Sequence, residues 1–261
     1  MKKSSGIGNV FLGVIYVILY APLFVMLFFS FNEAKSTTVF SGFSLKWYAE
    51  LFSSTNTLTA LRNTLVLAVT SAVIATVIGT AAAVYMYNVR NRAWKASLDL
   101  VTNLPMMNPE IVTGVSMMLL FVFIGRLLGL VNSLSFGTLL IAHVTFNLPY
   151  VILNVLPKLN QTDPHLAEAA QDLGSTPLHA FFHVVFPSIL PGIVSGLIMS
   201  FTMSLDDFVI SYYTTGSSFQ TLPLMIFAMT KKTVKPDMYA LSSVIFLTVL
   251  VLLLIVNISH S

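Results

Sequence analysis

From Val10 to Phe31 the sequence runs without a single charged residue, and comparable apolar stretches recur along the rest of its length. A run of about 20 apolar residues is long enough to cross a bilayer as a helix. Inside lipid every backbone N–H and C=O must find a partner within the protein, which leaves few alternatives to helices. The composition agrees: 56% of residues are hydrophobic and 9% are charged, where soluble domains carry about 25% charged residues. The expected fold class is therefore all-α and polytopic. The 261 residues suit a single bundle and leave no room for a soluble catalytic domain beside it. There is no cysteine, which excludes a disulfide framework, a thiol nucleophile and a thiolate metal site. The net charge of +3 is spread over loops and argues against a nucleic-acid partner.

Six spans are predicted, at about 10–31, 64–87, 97–125, 136–156, 188–211 and 238–257. The first flows into a polar loop, with no small-residue cleavage site, and reads as an uncleaved helix. In that loop Leu45–Phe52 is expected to form a short amphipathic helix, with Trp47 and Tyr48 as interfacial anchors. In the second span Ser71, Ala75, Gly79 and Ala83 recur every four residues. Thr64, Ala68, Ala72, Thr76 and Thr80 form a neighbouring small row, the pattern that lets helices approach closely in lipid. The third span is interrupted by Asn103, Pro105, Asn108 and Pro109, and Glu110 is expected to open a half-helix there. His143 in the fourth span reads as a hydrogen-bonded packing residue. The fifth span carries Gly192-xxx-Gly196, a second close-packing signal.

Residues 158–187 form the longest polar interruption in the second half. Asp163 reads as an N-cap, with Pro164 at the first helical position and Gly174 as the left-handed stop. Leu166, Ala169, Ala170 and Leu173 fall on one apolar face of the short helix between them. Ser175 and Pro177 are expected to cap the next one. Glu168-Ala169-Ala170, then Gly174, then nine residues to Val184-Val185-Phe186-Pro187 resembles the EAA loop of ATP-binding-cassette importer permeases. The resemblance implies the type I permease fold, with this loop as a cytoplasmic coupling helix in a groove of the ATPase. Glu168, Ala169, Ala170, Gly174, Leu166 and Leu173 are then the coupling residues.

Acids within spans are costly and therefore mark candidate functional sites. Asp206 and Asp207 lie in Ser204-Leu205-Asp206-Asp207-Phe208, and consecutive helical residues point about 100° apart. One is expected to face a translocation path and the other to cap or pair elsewhere; the alternative is that both mark the helix end, hydrated at the interface or paired with Arg126 or Lys231. Glu110 is a third path candidate, and Tyr212 and Tyr213 could hold an ammonium group by cation–π contact. The SLDDFVIS segment, Thr215-Gly216 and Thr221-Leu222-Pro223-Leu224, taken with the EAA loop, resemble the second permease of spermidine/putrescine importers across essentially the whole chain. That implies a polyamine cargo, for which path carboxylates replace lost hydration.

The same resemblance implies the partners: a homologous permease, two ATPase subunits and an extracytoplasmic solute-binding protein. The site would be a bacterial inner membrane, with the N-terminus cytoplasmic. No GxxxxGK[ST] loop is present, so ATP would be bound by the partner chains and this chain would hold no cofactor or metal and be no enzyme. Charge does not decide orientation: six Lys/Arg would lie inside (positions 2, 3, 90, 92, 95, 158) and seven outside (35, 46, 62, 126, 231, 232, 235). Two alternatives remain at this level. One is the same machine for a phosphonate, thiamine or ferric iron. The other is an ion-coupled secondary transporter, which would usually show an internal repeat.

Overall fold

A computed structural model describes residues 6–34, 39–130, 132–217, 219–231 and 236–259. Lys2, Lys3, Lys35, Lys232 and Lys235, counted above for orientation, lie outside the described residues. In chain order the helices are α1 (Gly6–Phe29), α2 (Lys46–Ser53), α3 (Thr55–Asn88), α4 (Arg92–Met107), α5 (Glu110–Leu127) and α6 (Phe136–Gln161). They continue as α7 (Leu166–Asp172), α8 (Pro177–Ala180), a π-turn (Phe181–Val185), α9 (Phe186–Asp206), α10 (Val209–Thr214), α11 (Leu222–Thr230) and α12 (Pro236–Ser259). Among the described residues five helical segments are long and apolar enough to cross a membrane: Gly8–Phe29, Thr55–Asn88, Glu110–Leu127, Phe136–Gln161 and Pro177–Asp206. The sixth expected span falls on α12, whose described apolar part is Met238–Thr248.

The chain divides into two compact units, one built from Met1–Thr59 with Met225–Ser261 and the other from Ala60–Leu224. In the first, α12 packs on α1 and α2. The loop between α1 and α2 is folded around Asn32, whose side chain donates to the Val39 carbonyl (2.8 Å) and accepts from the Ser41 N–H (2.9 Å). The expected α2 is present, but Trp47 turns into the loop rather than outward as an interfacial anchor. Trp47 is only 4% exposed and its indole N–H donates to the Asn32 carbonyl at 2.7 Å. The Tyr48 hydroxyl lies 2.7 Å from Ser30 Oγ, and Phe31 stacks on Phe43. An apolar ring with one polar tip suits an interface, and equally a loop that offers that tip a carbonyl.

The second unit is centred on α6 and α9, the most extensively packed helix pair. A Cβ on Gly192 would sit 2.7 Å from the Asn154 carbonyl oxygen, and one on Gly196 would sit 3.2 Å from Val151 Cα. Across the other side of Val151 a Cβ on Gly79 would come within 2.7 Å of the Val151 side chain. The small rows of α3 are therefore where the helices meet: Ser71, Ala75 and Ala83 are buried, as are Thr64, Ala68 and Ala72. Their shared core is Ala75, Ala83 and Met86 with Val151, Val155, Leu159 and Ile189. Lipid supplies no hydrophobic drive between helices, so this close packing carries the association.

The helix boundaries depart from expectation where proline and capping outweigh hydropathy. The third span is two helices, α4 and α5. Asn108 precedes Pro109 and is extended (φ −81°, ψ 141°), because a proline ring disfavours helical geometry in the residue before it. Glu110 does open a half-helix, with Pro109 as its N-cap residue. The second span starts nine residues early, at Thr55, and α3 continues unbroken through Arg62 and Asn63. The fifth begins at Pro177, because Thr176, and not Ser175, caps α8 through the His179 N–H. The π-turn lets this helix run on through Pro187. The Phe186 N–H bonds five residues back, to Phe181, just ahead of a residue that has no N–H to offer. The same helix ends at Asp206, five residues short of the expected limit. Leu222–Thr230, expected to be part of a polar stretch, forms the apolar helix α11.

Candidate functional site

Two places carry the sequence candidates: the loop between α6 and α9, and the break between α9 and α10. In the loop, α7 starts at Leu166, with His165 rather than Asp163 in the cap position. Asp163 still shapes the entry, because its carboxylate accepts the His165 N–H at 2.9 Å. The helix stops as expected. Gly174 has φ +93°, its N–H donates to the Gln171 carbonyl (2.9 Å), and the Ser175 N–H donates to that of Ala170 (3.1 Å). These are the paired bonds of a Schellman stop, which favours a residue without Cβ.

The apolar face of α7 is uncovered. Leu173 is 90% exposed, Leu166 is 37% exposed, and Leu178 on α8 is 72% exposed. Glu168 points to solvent with its carboxylate 3.0 Å from His165 Nδ1. That hydrogen bond, with the charge behind it, holds the His165 imidazole above its ordinary pKa by favouring the protonated ring.

At the break the two aspartates separate completely. Asp206 ends α9 and is exposed. Asp207 is extended (φ −61°, ψ 124°) and 8% exposed. One carboxylate oxygen accepts the Ile210 N–H at 3.2 Å, and the other accepts the Ser211 N–H at 2.8 Å. The second oxygen also lies 3.4 Å from His143 Nε2. So Asp207 pairs with His143, and neither Arg126 nor Lys231 is its partner. His143 is hydrogen-bonded and packed as expected, fully buried on α6. Its Nδ1 is 3.1 Å from Ser204 Oγ and its Nε2 is 3.0 Å from Ser211 Oγ. Asn147 Nδ2 donates to the same Ser204 oxygen at 2.7 Å, and Ser71 of α3 reaches it at 3.0 Å.

The remaining candidates are distributed around α5. Glu110 is exposed in its first turn. One turn on is Gly114, where a Cβ would sit 2.9 Å from the Tyr213 ring. Tyr213 is thus held by close packing of α10 on α5, while Tyr212 is 49% exposed and meets Tyr213 edge-on at 5.2 Å. Neither Asp206 nor Glu110 has an ion-pair partner among the described residues. Sequence reasoning did not join His143, Ser204, Ser211 and Ser71 to the aspartates. The available signal was His143 and Asn147 one helical turn apart, with Ser200 and Ser204 repeating the spacing on α9.

Residues 75–261 match the family described as "Binding-protein-dependent transport system inner membrane component". The chain belongs to this family. It is therefore a multi-pass inner-membrane permease component of an ATP-binding-cassette importer, and no enzyme. Family permeases carry no cofactor of their own. The chain is 36% identical to the "Spermidine/putrescine transport system permease protein PotC" of Escherichia coli strain K12, covering 94% of this chain and 90% of that one. It is 36% identical to the protein of the same description from Haemophilus influenzae, covering 95% and 93%. To the "Putrescine transport system permease protein PotI" of Escherichia coli strain K12 it is 35% identical, covering 88% and 82%. In fold it is similar to a crystal structure of a bacterial transporter that imports alginate, with a TM-score of 0.70 at 16% identity over 95% of this chain and 91% of that one. An amino acid transporter superposes with a TM-score of 0.56 at 19% identity over 82% and 94%.

Proposed function

We propose that this permease component imports a polyamine, spermidine or putrescine, and that α7 transmits the work of a partner ATPase to the helices. The observation that carries the cargo reading is similarity at 35–36% identity, over about nine tenths of the chain, to permeases described as transporting those two solutes. The site chemistry supports it. Asp206 and Glu110 are exposed carboxylates on largely apolar helices, with no ion-pair partner among the described residues. An ammonium leaving water needs such a group in place of its hydration, and Tyr212 offers an exposed ring nearby. Tyr213 serves instead to hold α10 on α5.

The coupling reading rests on α7. A seven-residue helix is too short to persist alone in water, yet it is sharply capped and presents Leu166 and Leu173 to solvent. Glu168, Ala169 and Ala170 lie on it, and Gly174 sets its exit. Such a ligand fits a groove on another protein. The assembly proposed has a homologous permease completing the path, two ATPase subunits that bind ATP, and a solute-binding protein outside. The N-terminus is then cytoplasmic, as α7 must face the ATPase.

Reconstituting the complete complex and measuring uptake of labelled spermidine, putrescine, thiamine and ferric iron decides the cargo. Saturable, ATP-dependent uptake of the polyamines alone is expected. Uptake of another solute with no polyamine transport would refute the assignment.

A further inference from the structure

Ending a helix within the depth of a membrane leaves backbone groups that only protein can satisfy. Between α9 and α10 this is done by one side chain in the gap and one ring from outside it. Asp207 sits in the gap and takes two amides of the first turn of α10, Ile210 and Ser211, with its two carboxylate oxygens. His143 reaches in from α6. Its Nδ1 meets Ser204, on the last turn of α9, at 3.1 Å, and its Nε2 meets Ser211 of α10 at 3.0 Å and Asp207 at 3.4 Å. A single imidazole therefore spans the break, and Ser71 of α3 and Asn147 of α6 both bond the serine it leans on.

The hydrogen count is consistent with this role. Asn147 Nδ2 can only donate, so Ser204 Oγ accepts it and has its own O–H free for His143 Nδ1. Nδ1 is then the acceptor of that O–H and Nε2 carries a proton, with Ser211 Oγ at 3.0 Å and the Asp207 carboxylate, which can only accept, at 3.4 Å. This tautomer is assigned from the donors and acceptors around the ring.

We propose that His143 and Asp207 act as one positioning unit. They hold the α9–α10 break in a fixed bend and thereby set the direction of Asp206, without themselves touching cargo. Asp207 has both oxygens occupied and is buried, so it could bind a solute only by releasing the cap of α10. Asp206, one residue away, is exposed and uncapped. The proposal rests on the reading of Asp206 as a cargo carboxylate, and it adds that the neighbouring carboxylate and a buried histidine determine where that group points.

The test is uptake of labelled spermidine and putrescine by the complete complex in proteoliposomes, normalised to assembled complex. For Asp206 the charge is what counts, so D206N and D206A should fall alike, about tenfold or more, and change the spermidine-to-putrescine ratio. For Asp207 the hydrogen bonds count. An asparagine whose oxygen takes the place of the second carboxylate oxygen still accepts the Ser211 N–H and faces His143, and gives up only the Ile210 N–H, so D207N should keep at least about a third of wild-type uptake where D207A loses tenfold. H143A should shift the cargo ratio in the same direction as D206N and add little to D207A. A purely structural role lowers both cargos in proportion and leaves the ratio unmoved.

Equal losses in D207N and D207A, or an unchanged ratio in H143A while D206N alters it, overturn the proposal. If D206N leaves uptake and ratio at wild-type values, it is the cargo reading of Asp206 that fails. The D207N comparison and the H143A/D207A double variant then still judge whether the two residues act as a unit. Should D207A fail to assemble, D207N alone decides: near wild-type uptake supports the unit, and a loss matching D206N refutes it.

Discussion

Adding one methyl group at two neighbouring glycines of α9 should have opposite consequences, because α6 approaches them differently. At Gly192 the new Cβ would lie 2.7 Å from the Asn154 carbonyl oxygen and 2.8 Å from Lys158 Cγ, where ordinary contact begins at 3.4 Å. The lysine stem can swing aside. The carbonyl is part of a helix and cannot, so α6 and α9 must part by about 0.7 Å. Overpacking of this kind costs about 1–3 kcal/mol. Alanine recovers about 0.5–1 kcal/mol through its better helix propensity and the reduced freedom of the unfolded chain. The net for G192A is a destabilisation of about 0–2.5 kcal/mol.

At Gly196 the nearest atoms are 3.2 Å and 3.3 Å away, on Val151, a shortfall of about 0.1–0.2 Å that small adjustments absorb. The alanine gain then prevails, and G196A should be neutral or slightly stabilising. The measurement is thermal inactivation of the purified complex in detergent, read as a half-life at fixed temperature, since membrane complexes of this kind commonly unfold irreversibly. With about 2–4 °C per kcal/mol at this size, G192A should lie below G196A by several degrees. If G192A is as stable as G196A, or more so, the claim that backbone contact at this seam holds α6 to α9 is wrong.

Gly174 tests backbone geometry alone. Nothing lies within 4 Å of where its Cβ would be, so the cost of G174A comes from φ +93° and amounts to about 1–2 kcal/mol. Co-purification of the ATPase should weaken in G174A and less in G174N, since asparagine tolerates the left-handed region; equal retention by both variants and wild type would remove the glycine from the coupling argument. For His165, whose pKa is raised by its hydrogen bond to Glu168, the interaction is fully present below the unfolded-state pKa of histidine and is lost as pH rises through the higher folded value. E168Q should move the imidazole titration, followed by NMR, to lower pH, and an unmoved titration would show that solvent screens the pair entirely.

The elements that the sequence made legible are those set by local chemistry. Gly174 stops α7 because only a residue without Cβ accepts that φ at little cost, and this depends on no distant group. The small rows of α3 and the Gly192/Gly196 pair announced a close approach, since in lipid nothing else explains small residues repeated every four positions. Pro109 before Glu110 announced a helix start. Errors arose where a local signal has two outlets. Trp47 read as an interfacial anchor because an amphipathic ring suits an interface, but the Asn32 carbonyl offered its N–H a partner within the loop. Pro187 read as a boundary, but a π-turn one step earlier had already excused its missing N–H.

The sequence by itself determined that this chain is a helical membrane permease with a sharply capped polar loop, because span length, charge scarcity and motif spacing are properties of consecutive residues. It also marked the Asp206–Asp207 pair as the place to look. It could not say which aspartate does what, since two adjacent carboxylates are chemically identical along the chain. That was decided by a histidine 64 residues away on α6, which the α6–α9 packing brings to within 3.4 Å of one of them. The pairing satisfies the amides of a broken helix, and it leaves the other carboxylate exposed at the end of α9.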